Sequence, residues 1–363
     1  MSYVNSHIHI FRDLDVPDGF LPFGLVKFLR HKFWFNTTCF LLNNIIPFAK
    51  SDLFSRYEQF IKIGRDSTQE DIWLNCYYNY PSDTKFVILP MDMAYMGAGD
   101  VPRPYVDQIE ELNQLYLKYP NNIVPFLAVD PRRPEINDLF NKYVVNGNFK
   151  GIKIYPPLGY FPYDVALNNI YDYCSKNGIP VIAHGSPYNP VCFKGSDEEL
   201  KKLLSVSKDP IDFSKKRKEL ITEFTKPSNY KYVFEKYPDL KVDIAHFGSD
   251  YWWDKYLSTT PDKMNDNANS WLLQIMSMIK SGKYPNFYTD ISFTLNYTDY
   301  FSMLKVFLSD DTLNKRVLFG SDYYMVETKS NERRFCIDLR SSLGEDLWNL
   351  IATENPKNFL GIK

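Results

Sequence analysis

The chain has 363 residues, of which 44% are hydrophobic and 24% are charged, and its formal net charge is -2. This composition argues against a disordered or collagen-like chain, and a pI of about 6.2 argues against the basic surface of a nucleic-acid binder. A chain of this length can bury a large core without disulfides or a structural metal.

Eight short apolar runs predict β-strands. They span residues 3–10, 85–90, 123–129, 151–155, 179–183, 241–245, 286–291 and 316–319. Several of them are apolar at nearly every position, which is typical of parallel strands that are buried on both faces.

Amphipathic segments lie between these runs and predict helices. The clearest span residues 104–119, 163–176, 230–237, 267–279 and 331–351, and the last of these is predicted to be the final helix. Eight alternating strand and helix units predict an α/β fold, a (β/α)8 TIM barrel. The alternative is a doubly wound sheet, which is disfavoured because no GxGxxG turn follows the first strand.

Two connections are longer than simple loops. Residues 11–84 follow strand 1 and are rich in aromatic residues, and residues 185–240 follow strand 5. We expect residues 1–363 to form a single barrel domain in which both segments are insertions on the carboxyl-terminal face. The aromatic-rich insertion is predicted to be a lid, with a contact between two copies of the chain as the alternative.

The N-terminal sequence and the spacing of the cysteines indicate the cellular compartment in which the protein is expected. The N-terminus has no basic region and no apolar run of signal-peptide length, and no stretch is apolar enough to span a membrane. The five cysteines are widely spaced without a CxxC pair, which argues against a disulfide framework. We therefore expect a cytoplasmic protein with no membrane and no nucleic-acid partner.

Four of the five histidines stand at the carboxyl ends of predicted strands. His7 and His9 are in strand 1, His184 ends strand 5, His246 ends strand 6, and Asp322 closes strand 8. Because residues i and i+2 of a strand point to one face, the first two imidazoles are expected to project together into the barrel. Imidazole and carboxylate groups that meet on one barrel face predict a site for Zn²⁺ or another first-row divalent metal.

At these residues the sequence resembles the amidohydrolase superfamily, in particular the amidohydrolase-2 branch with enzymes like aminocarboxymuconate-semialdehyde decarboxylase. The matching motifs, in chain order, are His7-Ile-His9-Ile-Phe11, Asp130-Pro-Arg132-Arg133, Gly151-Ile-Lys153-Ile-Tyr155-Pro-Pro157, Ala183-His184-Gly185, Ala245-His246-Phe-Gly248, Tyr288-Thr-Asp290-Ile-Ser292 and Phe319-Gly-Ser-Asp322.

The resemblance implies a metal held by His7, His9, His184 and Asp322. It implies that His246 binds a second metal, or polarises the substrate and transfers protons. In members with two ions a carboxylated lysine at the position of Lys153 bridges them, and otherwise the lysine holds a substrate anion or a neighbouring carboxylate. The resemblance therefore leaves one or two ions open.

Asp322 is expected to be catalytic together with His246. The aspartate can take a proton from metal-activated water and pass it to the leaving group. Its structural alternative is a helix N-cap after strand 8.

The first functional hypothesis is a metal-dependent hydrolase in which activated water attacks an amide, lactone or ester carbonyl of a small molecule. The alternative is a metal-dependent decarboxylase, a C–C lyase for a carboxylated, possibly aromatic, substrate. A non-catalytic binding protein on an inherited barrel is the third. A homo-oligomer is possible under each of them.

Several further residues are candidates for the site. Arg132 or Arg133 can hold a substrate carboxylate, with a salt bridge as the alternative. Asp290 can orient a ligand histidine, and a purely structural role is the alternative that the sequence favours. Asp92 is a candidate for a residue that contacts and orients the metal ligands. His31 stands in a basic context, and we expect it to have no catalytic role.

Overall fold

The computed structural model describes residues 2–20, 26, 30, 68–189, 191–260, 269–294, 298–323, 325–328 and 331–362. Most of the aromatic-rich segment 11–84 lies outside these ranges, so the predicted lid and His31 lie there too.

Eight parallel strands form one sheet in which each strand pairs with the next along the chain. They are β1 (Val4–Ile8), β2 (Lys85–Ile88), β3 (Ile123–Val129), β4 (Gly151–Ile154), β5 (Val181–Ala183), β6 (Val242–Ile244), β7 (Phe287–Asp290) and β8 (Val317–Leu318).

The sheet closes where its last strand returns to its first. The amide of Ser6 donates to the carbonyl oxygen of Phe319 (2.9 Å), and the amide of Asp322 donates to that of His7 (2.8 Å). Ile8 and Tyr323 also form an isolated parallel bridge. The result is a nearly closed barrel, which confirms the predicted TIM fold; the doubly wound alternative is wrong.

Helices follow the strands around the barrel. The α-helices in the described parts of the chain are α1 (Gln69–Tyr77), α2 (Tyr105–Lys118), α3 (Ile136–Phe140), α4 (Asn168–Asn177), α5 (Asp197–Leu204), α6 (Arg217–Thr222), α7 (Tyr230–Lys236), α8 (Ser249–Ser258), α9 (Trp271–Lys280), α10 (Asp299–Phe307), α11 (Glu332–Leu343), α12 (Glu345–Asn349) and α13 (Asn355–Leu360). Among the described residues, none of the helices combines the length and apolar character needed to cross a membrane.

The predicted final helix over residues 331–351 is wrong. The chain leaves helical geometry at Gly344, whose φ is 79° and ψ is 167°, so the segment divides into α11 and α12. The chain then continues to α13, which is the last helix in the described residues. The apolar pattern runs on through the break because both helices pack against the barrel, so the pattern alone does not show it.

The segment between β5 and β6 contains α5, α6 and α7. Most members of a second apolar cluster, which is separate from the main core, come from this segment and include Phe193, Leu200, Leu220 and Phe224, and Phe161 from the connection after β4 joins them. This cluster gives the long connection a fixed structure beside the carboxyl ends of the strands.

The other end of the barrel is covered by the last helix. Lys241, which precedes β6, donates through Nζ to the carbonyl oxygens of Asn358 (3.0 Å) and Phe359 (3.2 Å). Phe359 and Leu360 belong to the same buried cluster as Phe126 and other strand residues. Among the described residues these contacts fill the amino-terminal end of the barrel, so the candidate site is sought at the carboxyl-terminal end.

Candidate metal centre

His7, His9 and Asp322 bring three potential metal ligands together at the carboxyl-terminal end of the barrel. The Nε2 atoms of the two histidines are 3.3 Å apart. Oδ1 of Asp322 is 3.7 Å from Nε2 of His7 and 3.4 Å from Nε2 of His9. All three residues are buried, and their ligand atoms lie within 4.8 Å of one another.

The donor set fits a divalent metal ion. Oδ1 of Asp322 is buried and has no hydrogen-bond partner in the described part of the chain, which is costly for a carboxylate oxygen unless a ligand meets it. Two imidazoles and one carboxylate are a set that first-row divalent ions accept.

Hydrogen bonds outside this group fix the tautomers of both histidines. Nδ1 of His7 donates to Oδ2 of Asp290 (2.7 Å), and Nδ1 of His9 donates to the carbonyl oxygen of Leu89 (2.7 Å). Each ring therefore turns the lone pair of its Nε2 towards Asp322. Burial lowers the pKa of His7 to about 3, helped by the charge of Lys153, so the imidazole stays in the neutral form that binds metals.

Asp290 holds His7 in the tautomer that carries its proton on Nδ1. Burial opposes its charge, but His7 and the backbone N–H groups of His246 (3.0 Å) and Ser292 (3.0 Å) donate to it and keep its pKa below the usual range. Asp290 therefore contacts a candidate ligand histidine, which is one of the two roles that the sequence left open.

Replacing Asp290 by asparagine is expected to weaken metal binding by roughly 10- to 100-fold. An amide can present its NH₂ group to Nδ1 of His7, which moves the ring proton to the atom that faces the metal position. Titration with a divalent ion against a competing chelator measures the change. Equal affinity in wild type and variant would show that Asp290 does not set the tautomer.

His184 and His246 form a second pair beside the first. Nε2 of His246 is 3.1 Å from Nδ1 of His184, and the ring of Tyr155 stacks on His184 with a centroid distance of 4.2 Å. Asn189 donates through Nδ2 to Nε2 of His184 (3.1 Å), and Nδ1 of His246 donates to the carbonyl oxygen of Ser292 (2.9 Å). His184 lies outside the group of His7, His9 and Asp322, and it must release one of these contacts to bind an ion.

Lys153 of β4 lies beside His7. Its Nζ is 3.4 Å from Nε2 of His7, and 1% of its surface is exposed. Burial lowers the pKa of this amine to about 8, so a fraction of it is uncharged near neutral pH. The uncharged amine is the form that can react with CO₂, as the carboxylated-lysine alternative requires.

Arg132 and Arg133 both contact carboxylates of the protein. Arg132 donates to both oxygens of Asp130 (2.8 and 2.6 Å), and Arg133 donates to both oxygens of Asp92 (2.6 and 3.0 Å). These bidentate pairs favour the salt-bridge alternative over the recognition of a substrate carboxylate. Asp92 supports Arg133, and within the described residues none of its hydrogen bonds reaches the histidines.

A cavity of about 490 Å³ opens above the candidate metal ligands. His9, His184, His246 and Asp322 stand at its floor, and much of its wall is aromatic or apolar. The apolar lining includes Phe11, Met91, Tyr155, Tyr251, Phe293 and Met325. Lysine and arginine are missing from the lining that the structure describes.

A buried network beside the first and last strands was missed by sequence reasoning. Asn5 in β1 contacts Tyr80 and Ser321, and the hydroxyl of Tyr80 donates to Oε1 of Glu332, which has no exposed surface. The signal for Asn5 was present, because it stands two residues before His7 on the same strand face. Tyr80 and Glu332 are distant in sequence and show no motif.

The pH dependence of stability is expected to reveal Glu332. Burial raises the pKa of its carboxyl group from 4.5 to about 7, so between these values the folded state holds a proton that the unfolded state has released. The resulting stabilisation is present below pH 4.5 and is lost as pH rises to 7, by about 3 kcal/mol. Urea unfolding of wild type and Glu332→Gln, with chelator present, measures this difference. Parallel stability curves across that range would contradict the assignment.

The amidohydrolase family model (Amidohydro_2) matches residues 84–362 of the sequence. The protein therefore belongs to the amidohydrolase-2 family, as the motifs led us to expect. The match begins after β1, so His7 and His9 lie outside it. No curated protein matches the sequence significantly.

Solved structures with the same barrel include several decarboxylases. The 2,6-dihydroxybenzoate decarboxylase from Rhizobium is 13% identical with a TM-score of 0.53, and the match covers 99% of both chains. The 5-carboxyvanillate decarboxylase LigW from Sphingomonas paucimobilis is 12% identical with a TM-score of 0.55, over 100% of this chain and 99% of that one.

A third structure holds a metal. It is the 5-carboxyvanillate decarboxylase from Novosphingobium aromaticivorans complexed with manganese and 4-hydroxy-3-methoxy-5-nitrobenzoic acid, 14% identical with a TM-score of 0.54, over 99% of this chain and 96% of that one. At such identities the likeness shows the shared fold.

Proposed function

We propose that the protein is a metal-dependent decarboxylase of an aromatic carboxylate. The observation behind the proposal is the position of His9, His184, His246 and Asp322 at the floor of a cavity with an aromatic and apolar wall. Such a wall suits a flat ring, and the polar groups suit the carboxylate at one end of it. The barrels named as decarboxylases of 2,6-dihydroxybenzoate and 5-carboxyvanillate support this substrate class.

His7, His9 and Asp322 would hold one divalent ion, and His184 is the candidate for a further ligand. A bound ion supplies positive charge that orients and neutralises the oxygen atoms of the substrate. Zn²⁺ and Mn²⁺ are both compatible with these donors. The alternative with two ions requires carboxylation of Lys153, and metal analysis of loaded protein separates one ion per chain from two.

The apolar wall favours loss of CO₂ from the substrate. The reactant carries a carboxylate charge, whereas the departing CO₂ is neutral, so a cavity with little water to solvate the charge assists the cleavage.

Asp322 is the proposed proton donor. Cleavage of the C–C bond leaves the electron pair on the ring carbon, and a proton must reach that carbon as CO₂ departs. Asp322 lines the cavity beside the proposed position of the ion, where its carboxyl group can pass a proton to that carbon. His246, which also lines the cavity, is proposed to polarise the substrate and to return the proton.

The decisive experiment compares two substrate panels with Mn²⁺- or Zn²⁺-loaded protein. Hydroxylated benzoates are expected to release one CO₂ for each substrate consumed, and in deuterated water the product is expected to gain one deuterium at the vacated ring carbon. Chelator-treated protein is the control and is expected to be inactive.

Amides, lactones and esters in isotopically labelled water test the hydrolase hypothesis. Incorporation of solvent oxygen into a product without CO₂ release would replace the proposed reaction by hydrolysis. If the fully metal-loaded protein turns over none of the compounds in either panel, the result would favour a binding protein without catalytic activity.

A further inference from the structure

Asp322 occupies a backbone conformation that needs outside support. Its φ is 61°, in the left-handed region that side chains with a Cβ rarely adopt, and it follows a strand of only two residues. Gly320 lets this segment approach β1, because a Cβ there would stand 2.7 Å from Cβ of His7. The position of the Asp322 carboxylate therefore depends on how this segment is tied to the first strand.

The side chain of Asn5 connects this segment to the first strand by hydrogen bonds. Its Oδ1 accepts from the backbone N–H of Ser321 (3.0 Å), and its Nδ2 donates to Oγ of Ser321 (2.9 Å). The same Oδ1 also accepts from the backbone N–H of His7 at 3.4 Å. One amide thus joins the residue before Asp322 to the strand that carries His7 and His9.

Tyr80 and Glu332 support the orientation of this amide. Tyr80 has a single hydroxyl hydrogen, and it donates to Oε1 of Glu332. The oxygen of Tyr80 is then left to accept from Nδ2 of Asn5, at 3.1 Å. With Nδ2 turned to Tyr80 and to Oγ of Ser321, Oδ1 must face the backbone N–H of Ser321. A flipped amide would set its NH₂ group against that N–H.

The carboxyl group of Glu332 lies in an unusual environment. It has no exposed surface, and within the described chain no lysine, arginine or histidine lies within 4.0 Å of its oxygens. Its Oε2 has no hydrogen-bond partner there. Burying such a group is costly, so a role beyond packing is needed to account for it.

We infer that Glu332, acting through Tyr80 and Asn5, is a positioning residue that holds Asp322 against His7 and His9 in the metal centre. The inference rests on the metal centre of the proposed function and does not depend on the identity of the substrate.

The test uses Co²⁺ as the probe, bound to the full chain. Tyr80→Phe and Glu332→Met are expected to lower Co²⁺ affinity roughly tenfold in competition with a chelator and to change the visible absorption of the bound ion. Glu332→Gln keeps an acceptor oxygen for Tyr80 and is expected to retain wild-type affinity and spectrum. The double variant is expected to lose no more than the weaker-binding single variant, because both changes break one chain of contacts.

Cys76→Ala is the matched control. Its Sγ contacts the same Oε1 of Glu332 at 3.8 Å but has no hydrogen bond to Asn5, so Co²⁺ binding is expected to be unchanged. An equal loss in this control would mean general loosening of the core and would overturn the inference. Folded Tyr80→Phe with wild-type affinity and spectrum would overturn it as well.

Two further outcomes separate the inference from the proposed reaction. If Glu332→Met does not fold, Tyr80→Phe decides, because it removes a single oxygen atom. Wild-type protein that binds no Co²⁺ would remove the metal centre and the inference together. If the variants behave as expected while no aromatic acid loses CO₂, only the decarboxylation proposal fails.

Discussion

His7→Ala is expected to abolish stoichiometric binding of a divalent ion and to reduce turnover by at least about 10³-fold. The change removes one of three ligands that lie within 4.8 Å of one another. It also leaves the buried carboxylate of Asp290 without its imidazole donor. An ion that stabilises charge in the reaction by several kcal/mol accounts for a rate effect of this size. Metal analysis after dialysis and initial rates with excess metal measure both losses.

The control for this experiment is His31→Ala, which replaces the histidine for which the sequence predicts no catalytic role. It is expected to bind metal and turn over as wild type does. Full metal content and full activity in His7→Ala would show that the cluster is not the reaction centre.

Asp322→Asn is expected to reduce turnover by about 10²- to 10⁴-fold even when metal is saturating. The amide has nearly the same shape as the carboxyl group, but it cannot carry the proton that the ring carbon requires. Weaker metal binding is expected as well, because a neutral oxygen replaces a charged ligand. Rates measured over a range of metal concentrations separate the two effects, since only the loss of affinity is overcome by added metal.

Asp92→Asn is the matched control, with the same substitution after another strand of the barrel. Its carboxylate pairs with Arg133 and does not line the cavity, so metal binding and turnover are expected to persist. Restoration of wild-type turnover in Asp322→Asn by added metal alone would exclude the proposed proton transfer and leave Asp322 as a ligand only.

The barrel was predictable because its strands are buried on both faces. Runs such as 123–129 are apolar at every position, and the observed β3 has the same bounds. The convergence of His7, His9 and Asp322 followed from their places at strand ends, since the carboxyl ends of barrel strands meet on one face.

The features that sequence reasoning missed or left open depend on contacts between distant segments. The pairing of Arg133 with Asp92 joins the segments after β3 and β2, and a sequence pattern cannot choose it over a substrate carboxylate. The partnership of Tyr80 with Glu332 joins residues 252 positions apart. The sequence shows a glycine at position 344, but the apolar pattern around it continues and does not indicate that the helix ends there. The break depends on the backbone angles that Gly344 adopts in the folded protein.

Helix α13, which covers the amino-terminal end of the barrel, limits the direction from which a ligand can enter the cavity. Phe359 packs beneath the strands in the described part of the chain, and the cavity opens on the opposite side. Under the proposed function, an aromatic acid would therefore enter with its carboxylate first. Tyr251 of α8 and Phe293 after β7 would then meet the far edge of the ring and decide between ring substituents, while the reacting end would meet the barrel itself.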